Sequence, residues 1–210
     1  MAFKILMFSD FICPFCYIGF EVMRQLKPEF DFELEWRGFQ IHPDWPAEGI
    51  GPEKIHGMGN SDARKAAWER ISAMADEIGL AMKPPAVLTN SRVALAAAEF
   101  AREQGMDAAF EARVYRAYFG EGANIGDAGV VARLGAEAGL DPTAVAEAIE
   151  SPKYDLKLKN NALVANQRAV NGVPTFFFGE YPLVGAQPLA VMRKVLTRAQ
   201  ERFGNDKVAS

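Results

Sequence analysis

Cysteine and histidine are scarce in this chain: two of each occur among 210 residues, Cys13 with Cys16 and His42 with His56. Two cysteines so close together cannot staple distant segments, so a disulfide framework is excluded and stability has to come from ordinary packing, as suits a reducing compartment. A structural zinc site takes about four nitrogen or sulfur ligands, so both histidines would have to converge on the cysteine pair from a proline- and glycine-rich loop. That spacing fits no common zinc pattern, and no metal is expected. There is no basic excess either. A formal net charge of -4 gives no footprint for nucleic acid, and no DNA or RNA partner is expected. No apolar run approaches the roughly 20 residues that span a bilayer. The amino terminus (MAFKILMFSDF) lacks the regions of a secretory signal, so the expectation is a cytoplasmic protein with no membrane partner. Internal repeats and low-complexity tracts are also missing.

What is present is concentrated in SDFICPFCYIG, residues 9–19. Upstream, Phe3 to Phe8 is an apolar run of strand length; downstream, Phe15, Ile18, Val22 and Leu26 fall at helical spacing. The cysteines therefore sit where a strand hands over to a helix. Unpaired amides of a first helical turn and the positive end of its dipole stabilise a thiolate there. Pro14 suits the first turn, because it has no hydrogen bond to lose and its backbone angle is already helical. Cys13 is expected at an exposed helix tip as the attacking sulfur, with Cys16 one turn further in as the resolving one. A zinc half-site or two inert core cysteines are the competing readings, and redox cycling fits this context better than either. Asp10 either shifts the thiolate's stability, according to its distance, or is a solvated loop residue, which is the plainer reading.

The first helix runs from Pro14 to Leu26 and stops before Pro28. From Phe30 to Ile41, Phe30, Phe32, Leu34 and Trp36 alternate with charged residues, which describes a strand with one buried face, placed at the edge of a sheet. From His42 to Asn60 the chain is a loop rich in proline and glycine. It leaves the carboxyl end of a parallel strand, where open α/β sheets place their sites. His42 and Trp45 either line a pocket near Cys13 or belong to an ordinary surface loop with one buried tryptophan. Helices are then expected over residues 61–78, capped by Asn60 or Ser61, and over 93–103, capped by Asn90. Three more are expected from Asp107 to Tyr118, from Asp127 to Ala138 and from Thr143 to Ile149, the last opened by Asp141 and Pro142. A long helix follows over Lys153 to Val170. Gly172 to Val184 outlines a β-hairpin, and Leu189, Met192, Leu196 and Ala199 mark a terminal helix, with the chain fraying from about Gly204.

Strand, helix, strand, then helix, strand, strand, helix is the order of the thioredoxin fold. The fold class is α/β, with a large all-helical insertion between strand 2 and strand 3. Residues 1–45 and 152–210 are assigned to the thioredoxin-like domain and residues 46–151 to the helical insertion subdomain. Pro174 immediately precedes the third strand. Proline takes a cis peptide bond cheaply, and beside a Cys-Pro-Phe-Cys pair the cis form is favoured over a trans proline that merely starts a strand. Val173 can then offer its main chain to an extended substrate.

The chain resembles the DsbA-like branch of the thioredoxin superfamily, and within it the FrnE-like oxidoreductases, relatives of 2-hydroxychromene-2-carboxylate isomerases and kappa-class glutathione transferases. The resemblance rests on residues 10–19 (DFICPFCYIG), on Trp36-Arg37-Gly38-Phe39 with His42-Pro43 and Glu48-Gly49, on Thr89-Asn90-Ser91-Arg92 with Ala94, and on Gly172-Val173-Pro174-Thr175-Phe176 with Val184-Gly185-Ala186-Gln187-Pro188. It implies thiol-disulfide exchange at Cys13 and Cys16 opposite a cis Pro174. In the isomerase and kappa-class relatives the attacking position is typically serine, which activates glutathione. Two cysteines here argue for redox cycling, although room for glutathione as a co-substrate remains.

The function expected is therefore a thiol-disulfide oxidoreductase acting on protein or low-molecular-weight thiols and disulfides. Cys13 and Cys16 are catalytic, Phe15, Val173 and Pro174 bind substrate, and no cofactor is needed beyond the redox-active disulfide. The alternative is a glutathione-dependent isomerase or transferase acting on an aromatic small molecule, with Trp68, Tyr118 and Phe119 lining a pocket walled by the insertion; those residues serve equally as plain core. A chaperone-like binding module would need a broad exposed apolar surface. Electron flow depends on how far the Cys13 pKa is depressed: a low value favours the dithiol and makes an oxidant, a value near the free thiol makes a reductant. The oligomeric state has no signature in the sequence.

Overall fold

A computed structural model describes residues 2–54 and 61–203. Four strands form one mixed sheet, β1 (Phe3–Ser9), β2 (Phe32–Gly38), β3 (Thr175–Phe178) and β4 (Tyr181–Val184), in the order β2-β1-β3-β4. β1 pairs parallel with β2, from Phe3 opposite Phe32 to Ser9 opposite Gly38, and antiparallel with β3, from Ile5 opposite Phe178 to Phe8 opposite Thr175. A parallel neighbour needs a crossover connection, and α1 (Pro14–Leu26) supplies it. β2 lies at the sheet edge, as its charged residues suggest. Its ladder ends earlier than the alternation does: β1 runs out at Ser9, the Phe39 amide makes a last bond to Ser9 O at 2.7 Å, and the following backbone turns to other partners.

Alternation along β1 decides what faces what. Ile5 and Met7 join Phe176 and Phe178 in the core under α1 and the terminal helix α8 (Leu189–Phe203), which contributes Met192, Leu196 and Ala199. Phe8 and Phe177 point to the other face, against Ala165 of α7 (Pro152–Gln167). By the same alternation Ser9 lies on the α1 side, directly below the start of the helix.

Between β2 and α7 the chain forms α2 (Ser61–Asp76), α3 (Arg92–Glu103), α4 (Asp107–Arg116), α5 (Ala128–Glu137) and α6 (Pro142–Glu150), so a helical segment is inserted into a thioredoxin fold. Polar side chains start several of these helices as read from the sequence. Asn90 accepts from the Arg92 amide at 2.9 Å, Asp127 from Val130 at 2.9 Å and Asp141 from Thr143 at 2.8 Å. Three helices end sooner than their periodicity, α2 at Asp76 instead of Ile78 among them. α4 passes at Ala117 into a π-turn to Glu121, closed by Gly122 at φ +73°. α7 stops at Gln167, because Ala169 takes φ +55° and the Val170 amide folds back onto Ala165 O.

The inserted helices are not a separate globule. Leu95, Phe110, Val114, Tyr115 and Phe119 belong to the same buried cluster as Ile5, Phe11 and Trp36. Phe11 carries the junction: its ring stacks on Trp36 at 4.8 Å and meets Tyr115 edge-on at 5.0 Å. Each such ring removed from water contributes about 1.5–3 kcal/mol, so several together hold the insertion to the sheet firmly.

Candidate active site

Cys13 is the residue on which α1 begins, with Pro14 at the first helical position, and both cysteines are free thiols. The expected exposed tip needs correction. Cys13 is 6% exposed and Cys16 0%; the exposed residue at this end is Phe15, at 39%. The Cys13 sulfur is recessed because the loop before β3 closes over it. Its Sγ donates to Val173 O at 3.7 Å, and the Val173–Pro174 peptide is cis. Gly19 lets that loop come close: a Cβ there would lie 3.1 Å from the Phe176 ring and 3.3 Å from Pro174 Cγ.

The two thiols are pushed in opposite directions. Cys13 is held below the ordinary thiol value, first by the Cys16 thiol, which donates to its sulfur, and then by the Cys16 and Phe15 amides; burial and the Asp10 charge oppose this. In the neutral dithiol these amides make no capping bond to the sulfur. Their effect belongs to the thiolate, as expected at a helix start. Cys16 is raised well above the ordinary value, first by burial and then by Cys13. Cys13 is thus the more readily ionised of the two sulfurs, and Cys16 keeps its proton to higher pH.

Asp10 is not a solvated loop residue. It is fully buried, its Oδ2 accepts from the Ile41 amide at 2.8 Å, and burial pushes its carboxyl up to about 6. Hydrogen bonds from the Ile41 and Ile12 amides keep the rise from being larger. A short polar loop gives no sign of this, since the Ile41 amide comes from the segment after β2.

His42 and Trp45 stack with ring centres 3.8 Å apart and planes 5° from parallel. Together with Ile12, Cys13 and Pro14 they line a cavity of about 760 Å³ that runs from the thiol toward α2. Trp68 and Phe119 form part of its far wall, along with Pro84 and Leu88, and Arg64 and Lys65 are exposed basic side chains at its lining. Tyr118 is core instead: it is 1% exposed and its hydroxyl donates to Val87 O at 3.0 Å. A cleft of about 470 Å³ behind β2, between Gly38 and Arg92, has neither cysteine in its lining. His56, which a zinc site would have needed, lies outside the described residues, as does the candidate cap Asn60.

Residues not singled out by sequence surround Cys16. Ser9 Oγ lies 2.6 Å from Tyr115 Oη, and both side chains are fully buried. Alternation along β1 could have found Ser9, which follows Phe3, Ile5 and Met7 on the face turned to α1. Nothing local marks Tyr115, 106 positions away.

The geometry agrees with relatives of known sequence or structure. The chain is 28% identical over 206 residues to YwbO of Bacillus subtilis, an uncharacterised protein, covering 96% of this chain and all of that one. Among solved structures it superposes on the probable DsbA oxidoreductase SCO1869 of Streptomyces coelicolor with a TM-score of 0.86, 24% identity, and 99% of this chain and 92% of that one covered. It superposes on a 2-hydroxychromene-2-carboxylate isomerase at 0.79, 19% identity, with 98% and 100% covered. For the cytosolic disulfide reductase DsbM of Pseudomonas aeruginosa with glutathione the values are 0.67, 21%, and 92% and 99%. The sequence pattern of the DSBA-like thioredoxin domain matches residues 4–197, and the chain belongs to that family.

Proposed function

We propose that this chain is a thiol-disulfide oxidoreductase that exchanges disulfides with protein or low-molecular-weight thiols through Cys13 and Cys16. The observation that carries it is a pair of free, buried thiols, Cys13 and Cys16, at the start of α1 with the Cys13 sulfur against the Val173 carbonyl. As a reductant, the Cys13 thiolate attacks a substrate disulfide, one substrate sulfur leaves as a thiolate, and a mixed disulfide remains on Cys13. Cys16 then attacks the Cys13 sulfur, the second substrate sulfur leaves, and the pair closes to a disulfide. As an oxidant the same steps run backwards. Phe15, the exposed ring between the cysteines, forms the contact face, and the Val173–Pro174 main chain orients an extended substrate. A cytoplasmic location fits the cytosolic relative and the lack, among the described residues, of any helix long and apolar enough to cross a membrane.

The test is the equilibrium of the pair in a series of glutathione redox buffers, read as the mass added by thiol alkylation. For a two-electron couple about 30 mV corresponds to 1.4 kcal/mol, so a coarse titration separates oxidant from reductant. A pair that stays reduced until the buffer is strongly oxidising is an oxidase or disulfide isomerase; one that closes in reducing buffer is a reductase. A pair that never closes overturns the redox reading.

A second reading, a glutathione-dependent isomerase or transferase acting on an aromatic small molecule, is favoured by the apolar cavity that opens on Cys13. The isomerase and the glutathione-bound reductase that share the fold support it too. That reaction has no use for a resolving sulfur. Conversion of an aromatic substrate with glutathione that survives Cys16→Ser would establish it; loss of all activity in that variant leaves redox exchange.

A further inference from the structure

We propose that Ser9 and Tyr115 form a hydroxyl pair that supplies Cys16 with a hydrogen-bond donor when the resolving sulfur ionises, Ser9 acting on the sulfur and Tyr115 positioning Ser9. The proposal rests on the dithiol reading above and concerns its second step. Cys16 is fully buried, so its thiolate meets no water, and every donor it can use must be built into the protein. Ser9 lies on the face of β1 under the start of α1, where its hydroxyl faces the Cys16 sulfur and favours its ionised form. Its hydroxyl is also 2.6 Å from Tyr115 Oη. Ser9 has one proton for these two acceptors.

The surroundings of Tyr115 allow that proton to be redirected. Its hydroxyl is 3.4 Å from Asp10 O, and among the described residues the buried indole N–H of Trp36 has no hydrogen-bond partner of its own. With Cys16 protonated, Ser9 donates to Tyr115 and Tyr115 donates to Asp10 O. With Cys16 ionised, Tyr115 turns its proton to Ser9 and Ser9 turns its own to the sulfur. The heavy atoms keep their places, since the 2.6 Å contact serves either direction. Packing holds the phenol there: Tyr17 stacks on it at 5.0 Å and 4°, and Phe11 closes its edge. In the step itself the Cys16 sulfur bonds to the Cys13 sulfur and the Cys13–substrate bond breaks. The substrate leaves with the electron pair and takes up the proton that Cys16 gave away. The hydroxyl pair moves no net charge; it lowers the cost of the buried anion that must form before attack. The titratable groups facing this cluster are Cys13, Asp10, Tyr17 and Tyr115 itself.

The reduced protein should react with the aromatic disulfide dithiobis(nitrobenzoate) in two coloured phases, one equivalent released by Cys13 and a second by Cys16. In Ser9→Ala the second phase should slow by about ten- to a hundredfold, the loss expected for one hydrogen bond to a charged group, and its pH midpoint should rise. Tyr115→Phe, which keeps the ring stack, should give a smaller change of the same sign. The first phase should move by less than about threefold in both variants, because these hydroxyls face Cys16. A second phase with wild-type rate and pH midpoint in both variants overturns the proposal. A wild-type protein that releases only the first equivalent overturns the dithiol reading itself, and that failure is visible before any variant is made.

Discussion

The Asp10 carboxylate accepts the Ile41 amide at 2.8 Å, and this bond ties the loop before the thiols to the segment that carries His42 and Trp45. A buried carboxyl raised from 3.8 to about 6 prefers its proton in the folded state. Its contribution to stability is fully present below the unfolded value and is lost as the pH rises through the folded one. At 1.36 kcal/mol per pH unit the loss is on the order of 3 kcal/mol between about pH 4 and pH 6. Asp10→Asn should flatten that part of the stability profile, measured as urea midpoints from pH 4 to pH 8. The same variant removes a negative charge that raises the Cys13 pKa, so Cys13 should alkylate at lower pH than in the wild type. A variant whose urea midpoints run parallel to the wild type across this range would show that the carboxyl does not ionise there.

Cys13→Ser should abolish exchange, whereas Cys16→Ser should accumulate mixed disulfides on Cys13, visible as an added substrate mass that reductant removes. The asymmetry follows from the opposed pKa shifts: under the proposed exchange the sulfur that ionises more readily, Cys13, is the one that attacks. Full turnover by the Cys13 variant would contradict the assignment of roles.

Gly19→Ala sets helix propensity against packing. Alanine gains about 1 kcal/mol over glycine in a helix interior. Its methyl would press on Phe176 at 3.1 Å and Pro174 at 3.3 Å, and overpacking of this kind costs about 1–3 kcal/mol. The net should be a loss of stability together with slower exchange, since Pro174 is displaced from beside the thiol. A variant with a higher melting midpoint and undiminished exchange would show that the loop yields freely.

Gly126→Ala should be worse. A Cβ there would overlap the Ala47 carbonyl oxygen and the Thr89 hydroxyl, which are already bonded to each other at 3.0 Å. The Ala47 backbone also accepts from Asn124 at 3.0 Å, so this carbonyl is held from two sides and cannot step aside cheaply. A loss of at least about 1–3 kcal/mol is expected in chemical denaturation, with a slower reaction of Cys13 toward aromatic disulfides as the His42–Trp45 segment shifts. Unchanged denaturation would mean that the segment adapts.

Much of this protein is decided locally and so can be read from its residues. Pro14 after Cys13, the spacing of Ile18, Val22 and Leu26, the alternation around Trp36, the Asp127 and Asp141 caps and the hairpin after Pro174 each act within a few positions, and together they give the order of elements and the pairing of a helix start with two thiols. Distance decides the rest. Asp10 looks like a solvated loop residue until the Ile41 amide closes over it; Cys13 looks like an exposed tip until Val173 covers its sulfur; Tyr115 looks like one more core aromatic until α4 sets its hydroxyl against Ser9. These are consequences of burial between segments 31 to 160 positions apart, where desolvation sets both which polar groups need partners and which protons they keep. The pair of thiols was written in two residues, and the local helix start lowers Cys13; the burial that raises Cys16 comes only from the tertiary structure, through desolvation.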